Sequence, residues 1–437
     1  MTQVSGNSNG QEGIGAYCEY AQRCLAKHDF AGAVRAYTMA LQRDPACLPA
    51  YIGRARAQMK QGNYQESIDD YTSALKLSPQ SAALHQNRGD GYYALGEHSR
   101  AIQDYTRSLR LDPQRPRAYF NRARAYLAMG DQQSALIDFT NTLQNGSELA
   151  EVYLARGDTY FALGDYASAR RDYTSALARE PNNFAAHLQR GRASFTLHDY
   201  NAAIADFAMA TELDPESAEA VHYRGLANMA LEYHGAAIMD FNQAIEMAPF
   251  DPDNYCRRAA VYNNIGNFQQ AIEDCVYALK LQSDYAYAYA TRAVAYKGLG
   301  EFQQAIEDCT RAIQRDPTDA ETYVTRAIAY NVLGKYNQAV TDCTNAIRID
   351  VRHPRAYVNR AIARLEMRNH RGAIEDCTQA LQLNPEEANA YYNRGIARSA
   401  LGDRQGSRED LSKAAAIYRA QGDQAKFDMV RQTAERI

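Results

Sequence analysis

Residues 286–319, AYAYATRAVAYKGLGEFQQAIEDCTRAIQRDPTD, run without a gap into residues 320–353, AETYVTRAIAYNVLGKYNQAVTDCTNAIRIDVRH. Set one under the other, the two segments agree at small, charged and turn positions alike: Arg292 with Arg326, Ala293 with Ala327, Gly300 with Gly334, Ala305 with Ala339, Asp308 with Asp342, Cys309 with Cys343. Self-similarity at a fixed period is the mark of a repeat architecture. The period here is 34 residues and extends both ways without insertion, with units opening at Ile14, Leu48, Ala82, Pro116, Ala150, Phe184, Ala218, Pro252, Ala286, Ala320, Pro354 and Ala388. Twelve units fill residues 14–421 of the 437, leaving 13 residues before and 16 after.

Each unit reads as two helices. Position 8 is always Ala or Gly and position 20 always Ala or Ser, while position 27 is Ala in ten units, with Ser108 and Thr142 the exceptions. Large residues at positions 4, 11, 17 and 24 stand at helical spacing from these small ones, so two helices can pack closely where side-chain bulk is missing. Gly at position 15 breaks the first helix in eight units, Gly62 and Gly300 among them. Pro at position 32 stops the second helix in eight, since it lacks an N–H and disfavours helix in the residue before it. Pro116, Pro252 and Pro354 open units, where a first-turn proline is tolerated.

Composition narrows the function. With 46% hydrophobic and 23% charged residues the chain can build a core, and 48 basic against 52 acidic residues give a formal charge of −4 without the basic excess of a general nucleic-acid binder. No stretch approaches the ~18 apolar residues of a membrane span, and the N-terminus carries no secretory core, so a cytoplasmic address and no membrane insertion are expected. The nine histidines are scattered, the acids recur at repeat spacing, and no Gly-rich phosphate loop occurs. No catalytic residue, cofactor, metal or small-molecule substrate is therefore expected.

The pattern resembles the tetratricopeptide repeat family over about nine-tenths of the chain: the 34-residue period, the small residues at 8, 20 and 27, the aromatic at 24 in the earlier units and the closing Pro coincide. The chain departs from the family in having no Trp, with Tyr at position 4 in nine units and Arg at position 7 in eleven. The resemblance implies an all-α, right-handed α-solenoid (a superhelix) of tandem helix-turn-helix repeats, whose first helices line a concave groove that receives a protein or peptide. It places positions 2, 5, 9 and 12 on that groove. The family's specialised clamp for chaperone C-termini needs Lys and Asn at set groove positions; here position 5 never carries Lys and position 9 never carries Asn.

Arg at position 7 is matched by Asp at position 23 in the same eleven units, from Arg54 and Asp70 to Arg394 and Asp410, and unit 1 lacks both. That joint absence favours an ion pair locking helix to helix within a unit over a charged ligand ladder. Position 9 changes chemistry halfway along: Arg56, Asp90, Arg124, Asp158 and Arg192 in units 2 to 6, then Leu226, Ala260, Val294, Ile328, Ile362 and Ile396. The charged run reads either as a zipper between adjoining units or as a charge-patterned partner site. In the apolar run, extended by Ala290, Val324 and Val358 at position 5, helix-to-helix contact and a groove for a partner's apolar side chains both remain open. Asn87, Asn121, Asn359 and Asn393 at position 6 are candidate amides for an extended partner backbone, or polar surface.

Cys275, Cys309, Cys343 and Cys377 recur once per unit at position 24, too far apart for disulfides or one metal, and read as core. Eight unpaired cysteines suit a reducing compartment. Residues 1–13 are rich in Gly, Ser, Asn and Gln and are expected to be disordered. Phe427, Val430, Ala434 and Ile437 fall on one helical face, which predicts a capping helix over 422–437. The reading is a non-enzymatic scaffold or adaptor with the apolar half of units 7 to 12 as the favoured groove. Its rivals are a structural, self-associating module and, less favoured, an RNA-binding repeat acting through Arg107, Arg110, Arg115, Arg117, Arg122 and Arg124.

Overall fold

The computed structural model describes residues 8–436, with twenty-five helices, numbered α1 to α25 in chain order, and no strand among them. Odd-numbered helices are the first helices of the twelve repeats and even-numbered ones the second, ending with α24 (Arg404–Ala420) and a final α25 (Gln424–Arg436). The expected all-α repeat solenoid is what the structure shows. Its helix α1 (Ser8–Ala26) takes in part of the segment expected to be disordered. Residues 1–7 and Ile437 lie outside the described residues.

The turn inside each repeat is built alike. After α17 (Ala286–Gly298), Gly300 takes φ +80°, its N–H donating to the Lys297 carbonyl at 3.1 Å while the Glu301 N–H reaches back to Tyr296 at 2.8 Å. This left-handed closure satisfies carbonyls that the helix end leaves over. The four repeats without Gly keep the turn: His28, His198, Glu232 and Arg368 sit at φ +57° to +60°.

The small positions are the core. Ala21, Ala33 and Ala40 of the first repeat and Ala327, Ala339 and Ala346 of the tenth have no exposed surface. First helices also touch first helices, as α17 touches α15 (Pro252–Asn264) and α19 (Ala320–Val332). The chain divides into two compact units, Met1–Pro215 with repeats 1 to 6 and Glu216–Ile437 with repeats 7 to 12.

All eleven Arg–Asp matches are ion pairs within a repeat. Arg122 is representative, its Nε donating to one Asp138 oxygen at 2.6 Å and its Nη2 to the other at 2.8 Å. The carboxylates are nearly buried, and in this pair the guanidinium fork meets both oxygens, the geometry in which such pairs are strongest; Arg224 instead gives both bonds to one oxygen of Asp240, the other accepting from Asn228. A third member escaped the sequence reading. The remaining Nη1 of Arg122 donates to Thr106 Oγ1 of the preceding repeat at 2.9 Å, and Arg54, Arg88, Arg156, Arg326, Arg360 and Arg394 do the same to the Thr at position 25 before them. The guanidinium thus ties helix to helix and repeat to repeat.

Candidate protein-binding surface

In the N-terminal unit the first helices of repeats 2 to 4, α3 (Leu48–Gln61), α5 (Ala82–Ala94) and α7 (Pro116–Ala128), line an open cleft. A cavity of about 650 Å³ takes in Arg56, Lys60, Asn87 and Tyr71, and one of about 230 Å³ takes in Tyr93, Tyr105, Asn121 and Arg124; Met59, Asp90 and Arg117 line both. Three- and four-residue spacing explains the gathering: 56, 59 and 60 share a face of α3, and 117, 121 and 124 share a face of α7.

Asp90 is the hub. Its Oδ1 accepts from the Tyr105 hydroxyl at 2.9 Å and from Asn121 Nδ2 at 2.7 Å, and its Oδ2 accepts from Arg117 Nη2 at 3.1 Å. Burial pushes its carboxyl above the usual range, with the Tyr105 hydrogen bond and the Arg117 charge pulling the other way. The Tyr105 hydroxyl is raised far above its ordinary value, first by burial and then by Asp90. Repeat 5 copies the contact, Tyr173 donating to Asp158 at 2.9 Å.

Four cations, Arg56, Lys60, Arg117 and Arg124, therefore face one carboxylate that already accepts three hydrogen bonds. Arg56, Lys60, Arg117 and Arg124 are exposed. Arg124 lies over Tyr93, 5.1 Å from the ring centroid, and over Phe120 at 5.9 Å. At position 9, Asp90 takes partners from positions 2 and 6 of the next repeat, while Asp158 feels the charge of Arg192, the position-9 residue of the next repeat, which also lies over Phe161 at 5.4 Å. Of the six arginines of the basic cluster, Arg115 is held by Gln86 and Arg122 by Asp138, Arg107 and Arg110 are exposed on the second helix of repeat 3, and Arg117 and Arg124 line the cleft. A partial signal for the hub was present in the sequence: Tyr stands at position 24 in the two repeats with Asp at position 9, while of the three with Arg there repeats 4 and 6 carry Phe139 and Phe207 and repeat 2 carries Tyr71.

The apolar residues of the C-terminal unit are placed otherwise. Val324 and Val358 are buried, so they are core and not groove. Leu226 is half-buried against Ala237, Phe241 and Val261, and Ile328 against Val324, Ala346 and Ala356. Ile362 packs on the cluster of Tyr357 and Cys377, and Val294 and Ile396 are half-buried too. Position 5 is used up in packing because it faces the next repeat, and position 9 covers it. Among the position-6 amides, Asn121 is engaged by Asp90, Asn359 donates to the Arg355 carbonyl at 2.8 Å, Asn393 is buried, and Asn87 lines the N-terminal cleft.

The cysteines at position 24 have no exposed surface, and burial pushes the thiols of Cys309, Cys343 and Cys377 up to about 12. Among the described residues no group of three or more His, Cys, Asp or Glu is placed to hold a metal ion, and no helix is long and apolar enough to cross a membrane.

A family model described as Tetratricopeptide repeat matches residues 21–82, 154–207, 188–252 and 358–424, together more than half of the chain. Other models of the repeat match 89–130, 286–319, 241–273 and 309–341. No curated protein matches the sequence. Among solved structures, the APC/C hetero-tetramer Cut9-Hcn1 is similar over 97% of this chain and 96% of its own, at 15% identity and TM-score 0.51. Yeast Tom70 is similar over 89% and 95%, at 16% identity and TM-score 0.43, and Pseudomonas aeruginosa pilF over 50% and 100%, at 21% and 0.44. At 15% identity the likeness to Cut9-Hcn1 is one of fold.

Proposed function

Because the chain belongs to the tetratricopeptide repeat family, we propose that it is a non-enzymatic, cytoplasmic scaffold that seats an extended, acidic segment of a partner protein in the cleft of α3, α5 and α7. One observation carries the reading: three exposed cations, Arg56, Lys60 and Arg124, line the cleft beyond the one, Arg117, that already pairs with its single carboxylate, Asp90. An incoming Asp or Glu meets guanidinium and ammonium donors, and the half-buried Met59 and Tyr93 offer apolar and aromatic surface between them. Charge so arranged selects partners and speeds encounter more than it adds affinity, so binding weakens with salt.

The test is fluorescence anisotropy of labelled 12-residue peptides that differ only in acidic, neutral or basic residues at alternate positions. Acidic peptides are expected to bind best, and the Arg56→Glu, Arg117→Glu, Arg124→Glu variant to lose them by tenfold or more, roughly 1.4 kcal/mol. Equal binding of the neutral set, or no loss in the variant, would overturn the reading. The apolar stripe is the weaker alternative: an Ile328→Asp, Ile362→Asp, Ile396→Asp variant strikes packed side chains and would unfold before it reported on binding.

A further inference from the structure

The hairpin of α24 and α25 carries a second, separate groove, a cavity of about 740 Å³. Its floor is apolar and shallow, formed by Ala415 and Ala416 from α24 and by Phe427 from α25, over the fully buried Leu411 and Val430. Its rim is Arg408, Arg419 and Arg431, and no carboxylate lines it. Arg408 and Arg419 are exposed and make no ion pair among the described residues; Arg431 reaches Glu435, one turn on, at 3.5 Å.

The shape is one this protein fills elsewhere. In the preceding repeats a first helix lies against both helices of the repeat before it, as α17 lies against α15 and α16 (Phe268–Leu281). The α24–α25 turn closes like the turns within repeats, with Gly422 at φ +77° and the Asp423 N–H donating to Tyr418 at 3.0 Å. Among the described residues, the hairpin so made presents two neighbouring helical stripes that no third helix covers. Alanines on the floor allow a helix backbone to come close, which a bulky floor would forbid.

We infer that this groove docks an amphipathic helix of another protein, one whose apolar stripe is bordered by Asp or Glu. A second copy of this chain meeting the groove with its own would set three arginines against three, which disfavours self-pairing. The rim also sets a length. Arg408 and Arg419 are eleven residues apart on one helix, about 16 Å, so a helix bridging them needs three turns with carboxylates near both ends.

The experiment uses the full chain and three labelled 18-residue helical peptides: an Ala/Leu stripe bordered by Glu, the same stripe bordered by Lys, and the Glu version with the stripe changed to Ser. Anisotropy titrations are expected to show the Glu-bordered helix binding at least tenfold more tightly than the other two. The Arg408→Glu, Arg419→Glu, Arg431→Glu variant, whose changes lie on exposed side chains and whose folding is checked by its thermal melt, is expected to reverse the preference to the Lys-bordered helix. An Arg117→Glu variant, which alters only the N-terminal cleft, is expected to leave all three affinities unchanged and so separates this groove from that one. Equal affinity for Glu and Lys borders, no binding by any peptide, an unreversed preference, or sedimentation showing a dimer that the triple variant dissolves would each overturn the proposal.

Discussion

The two compact units share a backbone plan and differ in where they put bulk. In the N-terminal unit position 24 is Tyr or Phe, fully or almost fully buried, and position 9 is charged from the second repeat on. The ring lies so close beneath position 8 that a Cβ on Gly157 or Gly191 would stand 2.7 or 2.6 Å from a ring carbon. In repeats 3 and 5 the ring is Tyr105 or Tyr173, whose hydroxyl emerges beside position 9 and holds an Asp there. In the C-terminal unit Cys replaces the ring in repeats 8 to 11, and Val or Ile at positions 5 and 9 supplies apolar volume in repeats 10 and 11. Moving volume from one layer to the other decides what the first helices show: a polar, cationic cleft in one unit, packed aliphatic side chains in the other.

The largest effects are expected where the units carry the same ion pair with different support. In repeats 11 and 12 a second arginine joins the pair, Arg364 reaching Asp376 and Arg398 reaching Asp410, both at 2.9 Å. Asp410→Ala leaves two guanidiniums without a counter-charge and is expected to cost about 4 kcal/mol, against about 3 for Asp138→Ala, where Arg122 alone is stranded. Urea melts of the single variants measure both. Replacing Arg122 and Asp138 together by Met and Leu should recover most of the loss; a double variant as unstable as the single would show that the pair's value lies in its net attraction and not in its mutual neutralisation.

Next in size is Asp90. Its folded pKa is raised above the unfolded value, so its contribution to stability is fully present below the ordinary carboxylate range and is lost as pH rises through the raised value. Above that value the buried, charged carboxylate is a cost. Asp90→Asn keeps an acceptor for Tyr105, removes that cost and removes the only negative charge from the cleft lining. The variant is expected to melt at or above the wild-type temperature at pH 7, to lose that advantage at pH 4, and to bind acidic peptides about fivefold more tightly, the scale of one near-surface charge interaction of ~1 kcal/mol. A variant that binds acidic peptides more weakly would mean that Asp90 orders Arg117 for the ligand and that the cleft's charge excess is not what recruits it.

Much of this was legible before any coordinates. The fold follows from a period that never slips, because each repeat must bury the same small residues against its neighbours. The Arg–Asp pairing was legible for the same reason: both partners vanish together in the first unit. The candidate site was legible only in part. A helical period says which residues share a face, but not whether the next repeat covers that face. Val324 and Val358 fell on the expected groove and are buried, while Arg117 and Asn121 reach back from one repeat to the Asp90 of another. Those contacts depend on how far successive first helices are offset, a quantity no single repeat encodes. The Thr at position 25 and the Tyr beneath Asp90 were in the sequence as recurring letters, readable once the pairing geometry was known.

The smallest effect concerns the four turns that do without glycine. A left-handed conformation costs a residue with a Cβ about 1–2 kcal/mol, and glycine gives part of that back through its looser unfolded chain, so each replacement by Gly is worth about 0.5–1 kcal/mol unless the native side chain earns its place. The units differ here too. In the N-terminal unit the exceptions are histidines with local partners: His198 Nδ1 is 2.7 Å from the Tyr200 hydroxyl, and His28 lies edge-on to Phe30 at 5.9 Å. In the C-terminal unit Glu232 and Arg368 stand exposed at φ +59° and +60° without a side-chain hydrogen bond or ion pair among the described residues. Glu232→Gly and Arg368→Gly are therefore expected to raise the melting temperature of their unit by about 2–4 °C, and His28→Gly and His198→Gly to leave theirs nearly unchanged. Equal gains in all four would mean that the histidine contacts contribute nothing and that the same backbone strain governs both units; a loss at His198 alone would make its bond to Tyr200 the stronger term.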